Sequence, residues 1–212
     1  PLEPGAVLAQ PGLAEALSLV AEEGVDTVYR GAVAELLLGV DGVPVTAGDL
    51  ARYRTRWLEP VATSYAGTRF LTRGGLAGVT ETLGRLPRLR GLPERERVHA
   101  LLAALEGPSA GGHTTNLVTA DADGNACVLT SSLGLGTGDF LPGLDLQLNS
   151  MVGEVDLVRE PLAPGERMAS MMAPSLALAG DSPTLAIGSA GGTRLRGALV
   201  AVASSILDEG LD

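Results

Sequence analysis

Residues 111–132 read GGHTTNLVTADADGNACVLTSS. Two runs of strand-forming residues, 115–120 and 126–131, flank an Asp-Ala-Asp-Gly-Asn turn at 121–125. Asp, Asn and Gly tolerate the reversed backbone, so this spacing predicts an antiparallel β-hairpin. The hairpin decides the class of fold, because helical patterns dominate before it and strand patterns after it. Small residues at 107–112 (Gly-Pro-Ser-Ala-Gly-Gly) mark the change of texture. Thr114 and Thr115 follow directly. Adjacent threonines are ordinary strand residues. The other reading makes Thr114 a nucleophile, freed when the chain is cut before it.

Upstream, Leu13, Ala16, Leu17, Val20 and Ala21 recur at helical spacing, and Gly24 ends the run. One helix is expected over 26–38, with Asp41-Gly42 as its stop. Thr46 and Asp49 have capping-box spacing for a short helix. Residues 59–65 and 68–71 read as strands, and 76–86 and 93–105 as helices, with Pro93 suited to a first turn. Downstream, 144–148 reads as a strand, and 175–179 with 184–188 as a second hairpin around Gly180-Asp181-Ser182-Pro183. Residues 191–207 read as a helix with Leu195, Leu199, Val202 and Ile206 on one face and Gly210 as its stop. The pattern predicts an α+β fold with antiparallel strands. It divides into a helix-rich segment, 1–113, and a strand-rich segment, 114–212, expected to form one domain together.

Composition excludes several functions. The 212 residues are 45% hydrophobic, enough to build a core. The net charge of −10 argues against nucleic acid and against anionic membrane surfaces as partners. All 15 basic residues are arginine, which removes a lysine Schiff base and a P-loop lysine. Cys127 is the single cysteine, so neither an intrachain disulfide nor a multi-cysteine metal site is possible; its apolar neighbours predict a buried, inert thiol. His99 and His113 are too few for a histidine-rich metal site. No run reaches the length of a membrane span. The opening PLEPGAVLAQ lacks a charged n-region and an apolar h-region, so no signal peptide is expected.

A threonine hydroxyl needs a base to become a nucleophile. An N-terminal threonine carries its own, because an α-amine has a reference pKa of about 7.7–8.0. Here that requires cleavage between His113 and Thr114. A second candidate piece is GSAGGTR at 188–194, between an apolar strand and an amphipathic helix. Glycines at 191 and 192 let two backbone N–H groups approach a ligand and hold an oxyanion. A plain glycine turn is the simpler reading. The segments LNSMVGEVDL at 148–157 and RMASMMAPS at 167–175 are less informative. A methionine cluster is more often core than site, and Glu154 read alone is a surface carboxylate.

The order of these pieces is what is recognisable. TTNLVTADADGNACVLTSSLGLGTG, LNSMVGE, RMASMMAPS and GSAGGTR, in that order, resemble the γ-glutamyltranspeptidase family of N-terminal-nucleophile hydrolases. Upstream, QPGLAEALSLVAEEGVDTVYRGAVAELL and VTAGDLARYR resemble the end of that family's large subunit. The resemblance implies a four-layer αββα sandwich of antiparallel sheets, incomplete here. It implies autoprocessing at His113–Thr114 into two subunits from one precursor, with oligomer formation left open. Thr114 matches the nucleophile that attacks a γ-glutamyl carbonyl, and Ser132 matches a hydroxyl that bonds it. Gly191 and Gly192 match the oxyanion pair. Glu154 matches an acidic residue that holds the substrate's α-amino group, and Ser170 a serine that binds its α-carboxylate. Arg194 follows the glycine pair as in the family and reads as structural.

The implied activity is acyl transfer from a γ-glutamyl compound or related amide to water or an amine, with no metal and no organic cofactor. Family members often work outside the cytoplasm. The chain departs from the family at Asn116, commonly His, at Gly134, commonly a substrate-binding Asn, at Met151, commonly Gln, and at Met171, commonly Ser. These departures predict fewer polar contacts to the donor. No arginine matches the one that the family's large subunit supplies to the donor carboxylate, so the chain is expected to be part of a larger protein or a much-reduced member. Two rival readings follow: a non-catalytic ligand-binding or structural relative of the fold, and an N-terminal-threonine amidase acting on β-lactam side chains.

Overall fold

The computed structural model of the chain describes residues 3–105, 113–154, 157 and 161–211. The Gly-rich approach at 107–112 lies outside the described residues. In chain order the elements are α1 (Pro11–Glu23), α2 (Asp26–Arg30), α3 (Ala32–Leu38), α4 (Ala47–Arg52), β1 (Val61–Tyr65), β2 (Thr68–Thr72), α5 (Val79–Arg85) and α6 (Glu94–Leu105). There follow β3 (His113–Ala120), β4 (Ala126–Gly134), β5 (Phe140–Leu141), β6 (Leu146–Gln147), β7 (Ser175–Ala179), β8 (Ser182–Ile187) and α7 (Leu195–Ser204). They group into two compact units, Pro1–Trp57 with Gly136–Asn149, and Leu58–Leu135 with Ser150–Asp212.

In the first unit Pro11 opens α1, and Gly24, at φ 71°, closes it. The single helix expected over 26–38 is broken into α2 and α3 at Gly31, whose backbone is extended. A Cβ at that position would lie 2.8 Å from the Cα of Thr27 and 2.8 Å from a Glu23 carboxylate oxygen. The break thus lets two turns pack closer than a side chain allows. Thr46 and Asp49 form the anticipated capping box on α4. The strand expected at 144–148 is instead half of a small hairpin, with β6 pairing β5. Its buried Leu141 and Leu144 pack with Ala16 of α1 and Val33 of α3.

The second unit is built on a four-stranded antiparallel sheet in the order β1-β2-β7-β8. Phe70 of β2 and Ala177 of β7 are cross-strand partners, both fully buried. They share one core cluster with Val79 and Leu83 of α5, Ala104 of α6, and Leu195, Leu199, Val200 and Ala203 of α7. Leu71 and Leu176 point to the opposite face, where they line a cavity of about 290 Å³ with Val128 of β4. Alternation along the strands puts Phe70 and Leu71 on these two faces.

The unit therefore layers helices, the four-stranded sheet and the β3–β4 hairpin. The outer face of the hairpin exposes Leu117, Leu129 and Leu133. This is an α+β sandwich of antiparallel sheets, incomplete in that no helical layer covers the hairpin among the described residues. Cys127 corrects the expectation of burial: it is exposed on that outer face, because β4 alternates and Ala126 and Val128 take the inner positions.

Helix α7 buries Leu195 and Leu199 as anticipated, but its inward stripe turns toward Val200 and Ala203 rather than Val202. Leu199, Val200 and Ala203 face inward, while Val202 is 45% exposed. A short 3₁₀ turn precedes α7 and a π turn extends it to Glu209 before Gly210, at φ 72°. That π turn places Asp208 in the interior. Its carboxylate accepts hydrogen bonds from Arg88 Nε at 2.5 Å, from the backbone N–H of Leu89, from Arg90 N–H at 3.2 Å and from the Tyr65 hydroxyl at 3.4 Å. Burial works against its ionisation, but the Leu89 N–H, Arg88 and the Arg90 N–H together hold its carboxyl below the ordinary value. Burial, and then the Asp208 charge, push the Tyr65 phenol well above its usual value.

A carboxyl with a lowered folded-state pKa stabilises the fold above its unfolded pKa, and that stabilisation is lost as pH falls through the folded value. Asp208→Ala leaves the Leu89 N–H without its acceptor, a loss of about 2–3 kcal/mol. Urea unfolding at neutral pH is expected to show that gap. The gap should narrow when the pH is brought below the ordinary aspartate value of 3.8. A gap unchanged in acid would show that the carboxylate charge is not what ties α7 to residues 88–90.

Candidate active site

Strands β3 and β4 pair from His113–Gly134 to Ala120–Ala126, but the register shifts between His113 and Thr115. Thr114 sits at this irregularity, outside the regular ladder. A bulge of this kind re-aims a side chain, and bulges concentrate beside active sites. Thr114 is half-buried on the inner face, between neighbours that belong to the strand.

A cavity of about 30 Å³ brings Thr114 together with Ser132, Glu154, Ser170 and Gly192. These four come from β4, the 3₁₀ turn after Ser150, the loop before β7 and the turn before α7. Gly191 adjoins Gly192 in the chain but does not line the cavity. The His113 backbone, next to Thr114 in β3, pairs with Gly134. Met151, Leu157, Met171, Met172 and Leu195 complete the lining. A methionine cluster read alone suggests core, whereas the resemblance sets Met151 and Met171 at donor-contacting positions; both line the cavity, with Met172. Their adjacency to Ser170 and Glu154 was the available signal.

The polar groups are individually held. Ser132 Oγ accepts the Gly134 N–H at 3.1 Å. Ser170 is buried, and its Oγ accepts the Met172 N–H at 3.1 Å. The Ser170 carbonyl in turn accepts the Leu76 N–H at 2.9 Å. Glu154 follows a 3₁₀ turn, and its Oε1 is buried with no hydrogen-bond partner among the described residues. The surface carboxylate of the plain reading is therefore an inward one. Gly191 and Gly192 have φ of 121° and 52°, a backbone that side chains disfavour. Arg194 is exposed, and its N–H closes this turn on the Gly191 carbonyl at 3.0 Å.

Two glycines beside the site leave no room for a side chain. A Cβ at Gly134 would overlap Glu154 Oε1 and lie 2.6 Å from Ser150 Oγ, and the φ there is 66°. The carboxylate and the serine fill the space that a larger residue would need. Asn116 lies against Gly188: a Cβ on Gly188 would overlap its Oδ1 and stand 2.7 Å from its Cγ. The Thr130 hydroxyl donates to Asn116 Oδ1 at 2.7 Å and fixes that carboxamide. Asn116 is two residues from Thr114, and Gly188 leads into the Gly191–Gly192 turn. Their close packing joins the strand of the candidate nucleophile to the turn of the candidate oxyanion donors.

Among the described residues, no group of three or more His, Cys, Asp or Glu could hold a metal ion. No helix among them is long and apolar enough to cross a membrane.

Residues 1–105 and 95–212, which together span the chain, match the family model described as gamma-glutamyltranspeptidase. The chain is 26% identical to a glutathione hydrolase proenzyme of Pseudomonas aeruginosa, over 98% of the chain and 51% of that protein. It is 25% identical to the acylase ACY 1 proenzyme of a Pseudomonas species, over 92% of the chain and 46% of that protein. Among solved structures, a cephalosporin acylase from Bacillus halodurans superposes with a TM-score of 0.81 at 22% identity, over 98% of this chain and 49% of that one. The chain thus spans about half the length of the curated relatives it matches.

The Asn116–Gly188 joint makes a double-mutant cycle informative. Gly188→Ala inserts a methyl group into occupied space and should cost about 1–3 kcal/mol. Adding Asn116→Ala removes the obstruction, so the double variant should be more stable than the sum of the singles predicts. Strict additivity in urea unfolding would mean that the two residues do not meet.

Proposed function

The chain belongs to the gamma-glutamyltranspeptidase family, and on that premise we propose that it is an autoprocessed N-terminal-threonine acyltransferase or hydrolase acting on γ-glutamyl amides. The observation that carries this reading is the displacement of Thr114 from the β3 ladder into a cavity shared with Ser132, Glu154, Ser170 and Gly192. Cleavage after His113 gives Thr114 a free α-amine. That amine takes the hydroxyl proton as Thr114 Oγ attacks the donor carbonyl. The Gly191 and Gly192 N–H groups stabilise the oxyanion of the tetrahedral intermediate. Collapse expels the donor's amine, which takes the proton from the threonine ammonium, and leaves an acyl ester on Thr114. Water or a second amine then resolves the ester. Ser132 bonds and orients the nucleophile. Glu154 receives the donor's α-ammonium group, and Ser170 donates to its carboxylate. The two products of cleavage stay together as subunits of one fold, and no cofactor takes part.

A second reading is favoured by the lining. Met151, Leu157, Met171 and Met172 give the cavity an apolar wall, which suits an acyl group less polar than γ-glutamyl. An N-terminal-threonine amidase acting on β-lactam side chains uses the same nucleophile and the same oxyanion donors.

Denaturing intact-mass measurement tests the shared premise. The wild-type chain is expected to divide into pieces ending at His113 and beginning at Thr114, and Thr114→Ala to stay whole. A wild-type chain that stays whole after long incubation refutes autoprocessing. The cleaved protein then separates the two readings: release of an anilide from a γ-glutamyl anilide supports the first, whereas turnover of acylated β-lactams alone rejects it.

A further inference from the structure

We propose that Glu154 is the general base that starts the chain's own cleavage, acting on Thr114 through one water molecule. This role rests on the reading that Thr114 attacks the His113 carbonyl, and it precedes any role in holding a donor. Before cleavage the Thr114 nitrogen is part of a peptide bond, and its lone pair is delocalised into the carbonyl. The base that serves the mature enzyme therefore does not yet exist, and the first step needs another.

Among the described residues that line the cavity, the remaining side chains are hydroxyls, thioethers and hydrocarbons, so the Glu154 carboxylate is the one group that can accept a proton as a base. Its placement fits the task. Oε1 is buried and accepts no hydrogen bond among the described residues. It occupies the space over Gly134 where a Cβ would stand. Gly134 is the cross-strand partner of His113, whose carbonyl is the one attacked. The carboxylate thus lies beside the strand position opposite the scissile bond. The cavity, about 30 Å³, has room for a bridging water, which needs about 10–15 Å³ by this measure. General bases act at hydrogen-bond distance or through one such water.

The chemistry balances without any further reactant but water. Thr114 Oγ forms a bond to the His113 carbonyl carbon while its proton passes through the bridging water to Glu154. The carbon–nitrogen bond then breaks, and the departing nitrogen takes that proton back from Glu154. The products are an ester between His113 and Thr114 Oγ and a free α-amine on Thr114. A water molecule hydrolyses the ester, releasing the His113 carboxylate and restoring the threonine hydroxyl.

The test follows cleavage of freshly synthesised full chain by intact mass over time. Glu154→Gln keeps the shape but cannot take the proton, and should cleave about 10²–10⁴-fold more slowly than wild type. Glu154→Ala, slow by itself, should accelerate when formate is added, because formate supplies the missing base; a structural role for Glu154 would give no such rescue. Cleavage of Glu154→Gln at the wild-type rate, or a Glu154→Ala chain that formate leaves unchanged, overturns the base while leaving Thr114 as the nucleophile. A wild-type chain that never cleaves overturns both.

Discussion

Burial of one face of α7 against the four-stranded sheet is the contact on which the second unit depends. Leu199, Val200 and Ala203 retain no exposed surface, and Leu195 only 2%. Each buried Leu or Val side chain is worth about 1.5–3 kcal/mol relative to exposure. The same helix carries chemistry at both ends. Its N-terminal approach is the Gly191–Gly192 turn, and its C-terminal extension drives Asp208 onto Arg88 and the Leu89 and Arg90 N–H groups. A core of ordinary apolar packing therefore fixes the height of the candidate oxyanion donors. The hairpin fixes the candidate nucleophile, and Asn116 on Gly188 joins the two.

The site is economical in its use of sequence. The hairpin, the 3₁₀ turn, the loop before β7 and the turn before α7 supply the polar groups, and Ser132, Ser170 and Glu154 each have a local bond or a local steric fit. Ser132 and Ser170 are tied to backbone N–H groups two residues on. Glu154 Oε1 has no such tie among the described residues, and it fills the space that a side chain on Gly134 would need. The constraint passes from a glycine to a carboxylate by volume alone.

Much of the fold was legible because local signals agreed with the tertiary outcome. The β3–β4 and β7–β8 hairpins follow from turn residues between alternating runs, and α4 from its capping box. What was not legible depended on contacts distant in sequence. Gly31 splits a helix because Thr27 and Glu23 need the space of its missing side chain. Gly78, at φ 61°, delays the start of α5 past the expected Leu76. On α7, periodicity finds Leu195 and Leu199, but the sheet it meets decides that Val200 and Ala203, not Val202, complete the inward stripe. In the site, Thr114, Ser132, Glu154, Ser170 and Gly192 were proposed from motif order, and the cavity gathers them. Leu157 and Leu195 were missed because hydrocarbons next to a site look like any other core. The proximity of Gly134 to Glu154 and of Asn116 to Gly188 lies in distance, and neither pair has a sequence signature.

The outward position of Cys127 has a practical consequence. It is the only thiol in the chain, and β4 presents it to solvent. A maleimide dye would attach one label per molecule, on the strand face turned away from Thr114. Any scission before Thr114 would leave that colour entirely on the downstream piece and none on the upstream one. The fold thus carries a built-in stoichiometric reporter of its own integrity, placed where attachment leaves the cavity untouched.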